Sequence, residues 1–121
     1  MESTDVPRPK QGEIWLTAFG AARVGEPGKT RPAIVLSSSD QMTGSVYDLV
    51  VMVPISSSIG PSAVRPQVAA TPATGLMTDS VAVVRAIRGM SPARLVAHLG
   101  KVPPEILLEI QEVLRAVLNL P

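Results

Sequence analysis

At 121 residues, 45% of them hydrophobic and only Trp15, Phe19 and Tyr47 aromatic, the chain suits one domain around one core and is too poor in rings for a multi-ring base-stacking surface. The absence of cysteine excludes disulfides, thiolate zinc sites and cysteine nucleophiles, and with no run of 18 apolar residues and no basic-then-apolar leader, a soluble, cytoplasmic chain outside the membrane is expected. Net charge is only +1, but residues 1–101 hold ten Lys or Arg against seven Asp or Glu while 102–121 hold one against three, so a mildly basic body permits an anionic partner without requiring one.

Residues 1–11 read as a flexible lead-in, because Pro7 and Pro9 interrupt regular hydrogen bonding and nothing apolar repeats. Residues 12–121 read as a single domain. Over "GEIWLTAF" (12–19), Ile14, Leu16 and Ala18 alternate with Trp15, Thr17 and Phe19, the period of a strand partly covered on both faces. "GAARVGEPGKT" (20–30) carries three glycines and a proline and predicts a loop of about ten residues, long enough to favour a functional role. "AIVLSS" (33–38) and "YDLVVMVPIS" (47–56) follow as antiparallel neighbours joined by "SDQMTGS" with Gly44 at the turn. Pro54 is expected to end regular pairing, and Ser56, Ser57, Ser58, Gly60 and Pro61 to form a second loop. "VRPQVAA" (64–70), interrupted by proline, fits an edge strand, and "DSVAVVRAI" (79–87) completes about five short strands.

Helices are expected only late. "SPARLVAHLG" (91–100) has Ser91 as N-cap, Pro92 at the first helical position and Gly100 as a stop. "PPEILLEIQEVLRAVLNL" (103–120) places Leu107, Ile110, Leu114, Val117 and Leu118 on one stripe, with Glu105, Glu109, Glu112 and Arg115 off it, so this helix should pack across the sheet. The expected fold is mainly β with C-terminal helices: a small, strongly curved antiparallel sheet.

Two sites for chemistry can be weighed. His98, the single histidine, sits late in the expected short helix, where a helix C-terminus favours imidazolium; a structural role is the better expectation, and two-histidine acid–base catalysis is excluded. Asp40, Asp48 and Asp79 are isolated and belong to no ligand-spaced motif, so no metal site is expected. Arg31 stands at the mouth of a buried strand, just after the loop holding Glu26, Gly28 and Lys29, and its planar fork of donors suits a phosphate and the charge that builds on it during transfer. An Arg31–Glu26 ion pair that ties down the loop is the purely structural alternative. Ser56, at the end of another strand, can offer its hydroxyl beside Arg31 if the two strands are neighbours, although loop hydrogen bonding is the commoner use of such a serine.

Taken in order, "GEIW", the glycine-rich loop ending in "GKTRPAIVLS", "VVMVPIS", "GLMTDSVAVV" and a late helix resemble the MazF/PemK family of toxin endoribonucleases over about residues 10–118. The resemblance implies a MazF/CcdB-like, barrel-like sheet of about five to seven strands. It implies a homodimer that cuts single-stranded RNA without metal or cofactor and is held inactive by a cognate antitoxin. The RNA would be mRNA first, with rRNA or tRNA as further candidates. It also implies a catalytic set of Arg31, Ser56 (where relatives commonly have threonine) and Glu26, with Lys29, Thr30, Ser57 and Arg85 as RNA-binding residues. One departure concerns specificity: Arg85 and Ala86 stand where related chains usually carry an acidic residue and glutamine ahead of isoleucine-arginine.

In the mechanism this implies, Arg31 stabilises the phosphorane and can protonate the leaving oxygen, Ser56 hydrogen-bonds the phosphate, and Glu26 orients Arg31 or assists the 2′-hydroxyl. Two other classes stay open. One is a catalytically silent subunit that acts in antitoxin binding and autoregulation; the other is a fold relative that poisons a topoisomerase-like protein and needs no Arg31–Ser56 pairing.

Overall fold

The structure, a computed structural model, describes residues 7–21, 28–45 and 47–121. Seven strands form one curled antiparallel sheet: β1 (Glu13–Ala21), β2 (Gly28–Val35), β3 (Val50–Ser56), β4 (Gln67–Val68), β5 (Ser80–Ala82), β6 (Arg88–Met90) and β7 (Leu95–Lys101), followed by helix α1 (Pro104–Val117). The strand order is β4-β5-β3-β2-β1-β7, with β6 also paired to β3. This is the mainly β, curved sheet expected, with one C-terminal α-helix rather than two.

Strand alternation divides the apolar residues between two faces. On one, Ile14, Ile34, Val53 and Ile55 join Val68, Ala82, Val84, Val102 and Ile110 of α1, with Ile106, Leu107, Val113 and Leu114 packed alongside. Ile110 is fully buried and anchors the helix, whereas Leu118, expected on the buried stripe, lies beyond the last helical turn and is exposed. On the other face Ala33, Val35, Val50, Met52, Met90 and Leu95 form a second cluster, bordered by Trp15, Phe19 and Met42.

The second helix expected, over 91–100, is not one. Ser91 does cap a turn, accepting from the Ala93 amide at 3.3 Å, with Pro92 at its start, but the turn is a single 3-10 turn, Pro92–Arg94. From Leu95 the chain runs as β7 along β1, pairing Glu13 with Lys101 and Trp15 with His98. The cap signal is worth about 1 kcal/mol and acts on one turn, whereas pairing satisfies the polar backbone of an entire strand. Gly100 therefore does not stop a helix; it lets the Ala73–Thr74 backbone approach, and Lys101 donates to the Ala73 carbonyl at 2.9 Å. A side chain at Gly100 would run into that carbonyl. Gly100→Ala is expected to cost about 2–3 kcal/mol in urea unfolding, while Gly60→Ala, with open space around it, should be near neutral.

Prolines and boundaries bring further corrections. β3 continues through Pro54, which stands opposite Ala33 and accepts from the Val83 amide at 2.9 Å. The Pro54 carbonyl and the missing N–H face the edge of β3 away from β2, at the junction where pairing with β6 ends at Met52 and pairing with β5 begins at Ile55, so the proline leaves the β2 ladder intact. β2 begins at Gly28, inside the expected loop, and the expected strand over 79–87 divides into β5 and a 3-10 turn at Val84–Ala86, with β6 unforeseen. Strand β4 is an edge, as its proline predicted. Residues 7–11, expected within a flexible lead-in, are tied to the sheet: Pro9 is buried and the Gln11 side chain donates to the Leu36 carbonyl at 2.6 Å. Residues 1–6 of that segment lie outside the described residues, as do residues 22–27 of the glycine-rich loop.

Candidate nucleic-acid interface

The two-residue period of the strands decides which side chains meet. Along β2, Lys29 and Arg31 share the face of Ala33 and Val35, while Thr30 takes the opposite face with Ile34. On β1, Trp15, Thr17 and Phe19 share the first of these faces, with Thr17 opposite Arg31 and Gly20 opposite Lys29 across an irregularity between Ala18 and Gly20. On β3 the same face carries Met52, Pro54 and, by alternation, Ser56; on β6 it carries Arg88, which pairs with Met52.

These residues enclose an open cleft of about 530 Å³, lined by Phe19, Gly20, Lys29, Arg31, Pro54, Ala86 and Arg88. Its described lining holds three cations and no carboxylate, above the apolar cluster of Ala33, Val35 and Met52. Such a surface favours an anion, and its cations are exposed enough to keep their own hydration until one arrives. The Arg88 guanidinium lies 5.2 Å from the Phe19 ring centroid, a cation–π contact worth about 0.5–1 kcal/mol at an exposed site, which holds the guanidinium at one wall. Thr17, beneath Arg31 and fully buried, is satisfied internally: its hydroxyl donates to the Trp15 carbonyl at 3.0 Å.

Of the residues singled out from the sequence, Lys29 and Arg31 come together in the cleft. Continuing the β2–β3 register two residues beyond Ala33–Pro54 sets Ser56 opposite Arg31, but the pairing of β2 with β3 ends at Ala33–Pro54 and the described lining reaches Pro54 and not Ser56; on its other edge β3 there pairs with β5, Ser56 with Val81. The Ser56 hydroxyl accepts from the Ser58 amide at 3.1 Å, the loop bond expected of such a serine. Ser57 is exposed beyond β3, and Thr30 points from the other face of β2. Arg85 is exposed on the 3-10 turn and is not among the lining residues, whereas Ala86 is. Glu26 lies outside the described residues.

Arg88, Phe19 and Gly20 were not singled out as site residues. Their signals were present: Phe19 follows Trp15 and Thr17 on one strand face, and Arg88 is the arginine of the isoleucine-arginine pair beside the departure at Arg85 and Ala86. His98 sits on β7 rather than at a helix end. It stacks on Trp15 with centroids 5.2 Å apart, and its Nε2 lies 3.0 Å from the Gly100 carbonyl, so its role in the described structure is to cover the sheet.

Residues 10–118 match the family model described as PemK-like, MazF-like toxin of type II toxin–antitoxin system. The chain is 30% identical over 115 residues to Endoribonuclease MazF9 of Mycobacterium tuberculosis, an alignment that spans 92% of this chain and 97% of that protein. Among solved structures, MazF from Deinococcus radiodurans superposes with a TM-score of 0.75 at 22% identity, covering 94% of this chain and 99% of the other. A mycobacterial endoribonuclease in complex with its cognate antitoxin gives 0.66 at 22% identity, over 94% and 96% of the two chains. At these identities the structures establish a shared fold.

Proposed function

The chain belongs to the PemK-like, MazF-like toxins of type II toxin–antitoxin systems, and from that premise we propose that it is an endoribonuclease that cuts single-stranded RNA at chosen sequences, using the 2′-hydroxyl of the substrate as nucleophile. The observation that carries this reading is the cleft itself, lined by Lys29, Arg31 and Arg88 together with one aromatic ring, Phe19, against which Arg88 lies, and with no carboxylate in the described lining. Phosphodiester groups fit such a surface, and one ring suffices for one base.

Arg31 is the group assigned to the reacting phosphate, because it stands between Lys29 and the apolar floor and carries a bidentate fork. Ser56 is assigned to a second hydrogen bond to that phosphate, reached by rotation of its hydroxyl away from the Ser58 amide. Glu26 is assigned to orienting Arg31 or assisting the 2′-hydroxyl. Lys29 and Arg88 bind neighbouring parts of the strand. Ala86 leaves room at the wall where a longer side chain would reach toward a base, so the recognised sequence is this chain's own.

Incubation of the purified chain with a long mixed-sequence RNA, followed by end mapping, tests the reading. Cuts at a recurrent short sequence support it; an intact RNA in the presence of a folded chain that binds its antitoxin favours the silent subunit.

The chain is further proposed to act as a homodimer in the cytoplasm, inhibited by a cognate antitoxin, as the complex of the mycobacterial relative illustrates for that protein. Exposed Leu49 and Val51 give the sheet an apolar surface that a second copy would cover. Light scattering at micromolar concentration is expected to report twice the chain mass, and a monomer overturns the dimer. Expression alone should arrest growth, and co-expression of the neighbouring small reading frame should relieve the arrest.

A further inference from the structure

Across β1 from the cleft, Arg94 reaches back over the sheet. Its Nη1 donates to the Ala18 carbonyl at 3.3 Å, and a Cβ built at Gly20 would stand 3.0 Å from that same nitrogen. Gly20 has φ +89°, a conformation that side chains rarely adopt, and it follows the irregularity between Ala18 and Gly20 that disturbs the pairing of β1 with β2. On the β2 side its Cα partner is Lys29. A stretch of bare backbone in the wall of the cleft is thus flanked by a cation from each neighbouring side, and no side chain of its own stands between them.

We propose that Lys29 and Arg94 flank a second phosphate seat over Gly20, distinct from the position at Arg31 where the bond is cut. The proposal rests on the reading of the chain as an RNA-cleaving enzyme and adds a contact to it: the phosphodiester next to the scissile one. Lys29 and Arg31 are two residues apart on β2, about 7 Å along the strand, which is on the scale of one nucleotide step in an extended chain. The bond from Arg94 to the Ala18 carbonyl fixes one nitrogen and leaves other donors of the guanidinium to face an anion. Glycine is suited to this place for two reasons: it accepts the positive φ, and it keeps the approach to the backbone open. The seat therefore supplies affinity and register, while chemistry stays with Arg31.

The test uses an oligonucleotide spanning a mapped cut site, its fluorescent 2′-methoxy counterpart for binding, and versions carrying a neutral methylphosphonate at one linkage at a time. Arg94→Ala is expected to raise KM and Kd about tenfold with kcat nearly kept, and to lower the slope of log Kd against log salt by about 0.7. Arg94→Lys should restore most of the slope. In the parent, one non-scissile methylphosphonate should weaken binding by a similar factor, and in Arg94→Ala that same substitution should have no further effect. An Arg94→Ala chain that binds with the parent's Kd and salt slope overturns the seat, as does one whose loss is confined to kcat, since a clamp on the Ala18 carbonyl alone would act in that way. Additive losses from the protein and methylphosphonate changes also overturn it. Because binding is read on an uncleavable strand, a chain that binds RNA through Arg94 but never cuts it refutes the catalytic reading and leaves the seat standing; a parent that binds no RNA refutes both.

Discussion

Arg31→Ala is expected to reduce RNA cleavage by at least about a thousandfold while leaving the protein folded, because on the proposed mechanism it removes a donor fork that meets charge present only in the transition state. The side chain is exposed on β2, with its strand neighbour Thr17 satisfied by the Trp15 carbonyl and the apolar cluster beginning at Ala33, so truncation opens no cavity and strands no polar group. Lys29 and Arg88 remain in the cleft to hold the strand, and the loss should therefore fall on kcat far more than on KM. Arg31→Lys should rescue poorly, having the charge without the planar fork. Ser56→Ala should be milder, about 2 kcal/mol for one hydrogen bond to a charged group, and Ser56→Thr should stay active. Single-turnover rates on a mapped oligonucleotide, together with a thermal melt of each variant, decide the matter. Parent-like cleavage by Arg31→Ala would remove the residue from the mechanism.

How far such a site could be read from the sequence depended on whether a local signal or a distant partner decided the structure. The alternation in "EIWLTAF" predicted β1 because its period is local, and the stripe around Leu107, Ile110 and Leu114 predicted α1 for the same reason. Residues 91–100 failed because Ser91 and Pro92 begin a turn truthfully, while the path of the chain from Leu95 onward is decided by the open edge of β1, which lies some eighty residues earlier. The same contrast separates the residues that line the cleft. The place of Arg31 there was legible from its loop-to-strand setting. Arg88 was not, because its place in the cleft comes from the pairing of β6 with Met52 on β3, and that pairing follows a 3-10 turn where a continuous strand was expected. Arg85, three residues earlier, had the same charge and a more conspicuous position but lies on the turn, outside the cleft lining. Ser56 stands between these cases: the condition set for it, that β2 and β3 be neighbours, is met, but their pairing ends at Ala33–Pro54, two residues short of Arg31 and Ser56.

Cleavage should persist in excess chelator, and a 2′-deoxy or 2′-methoxy residue at the cut site should block it. The described cleft is lined by lysine, arginine, one phenylalanine and small or apolar residues, and among them stands no hydroxyl, thiol, imidazole or carboxylate to act as nucleophile. Among the described residues there is no group of three or more His, Asp or Glu that could hold a metal ion, so the side chains needed to activate a bound water are not gathered there. RNA carries its own nucleophile in the 2′-hydroxyl beside each phosphate. That hydroxyl gives up its proton, to Glu26 on the proposed assignment or to water, and its oxygen attacks phosphorus, forming a new P–O bond as the bond to the 5′-oxygen breaks; the departing oxygen takes up a proton from Arg31 or water, and the ends are a 2′,3′-cyclic phosphate and a free 5′-hydroxyl. The phosphorane formed on the way carries extra negative charge, and the proposed mechanism assigns Arg31, with Lys29 and Arg88 in the same cleft, to offset it. A single 2′-deoxy substitution at the cut site removes the nucleophile and leaves every phosphate contact in place, so binding should survive while cleavage stops. Mass spectra of the fragments read the same chemistry independently. Ends bearing a 5′-phosphate, or activity lost to chelator and restored by magnesium, would refute this route even if the RNA is cut.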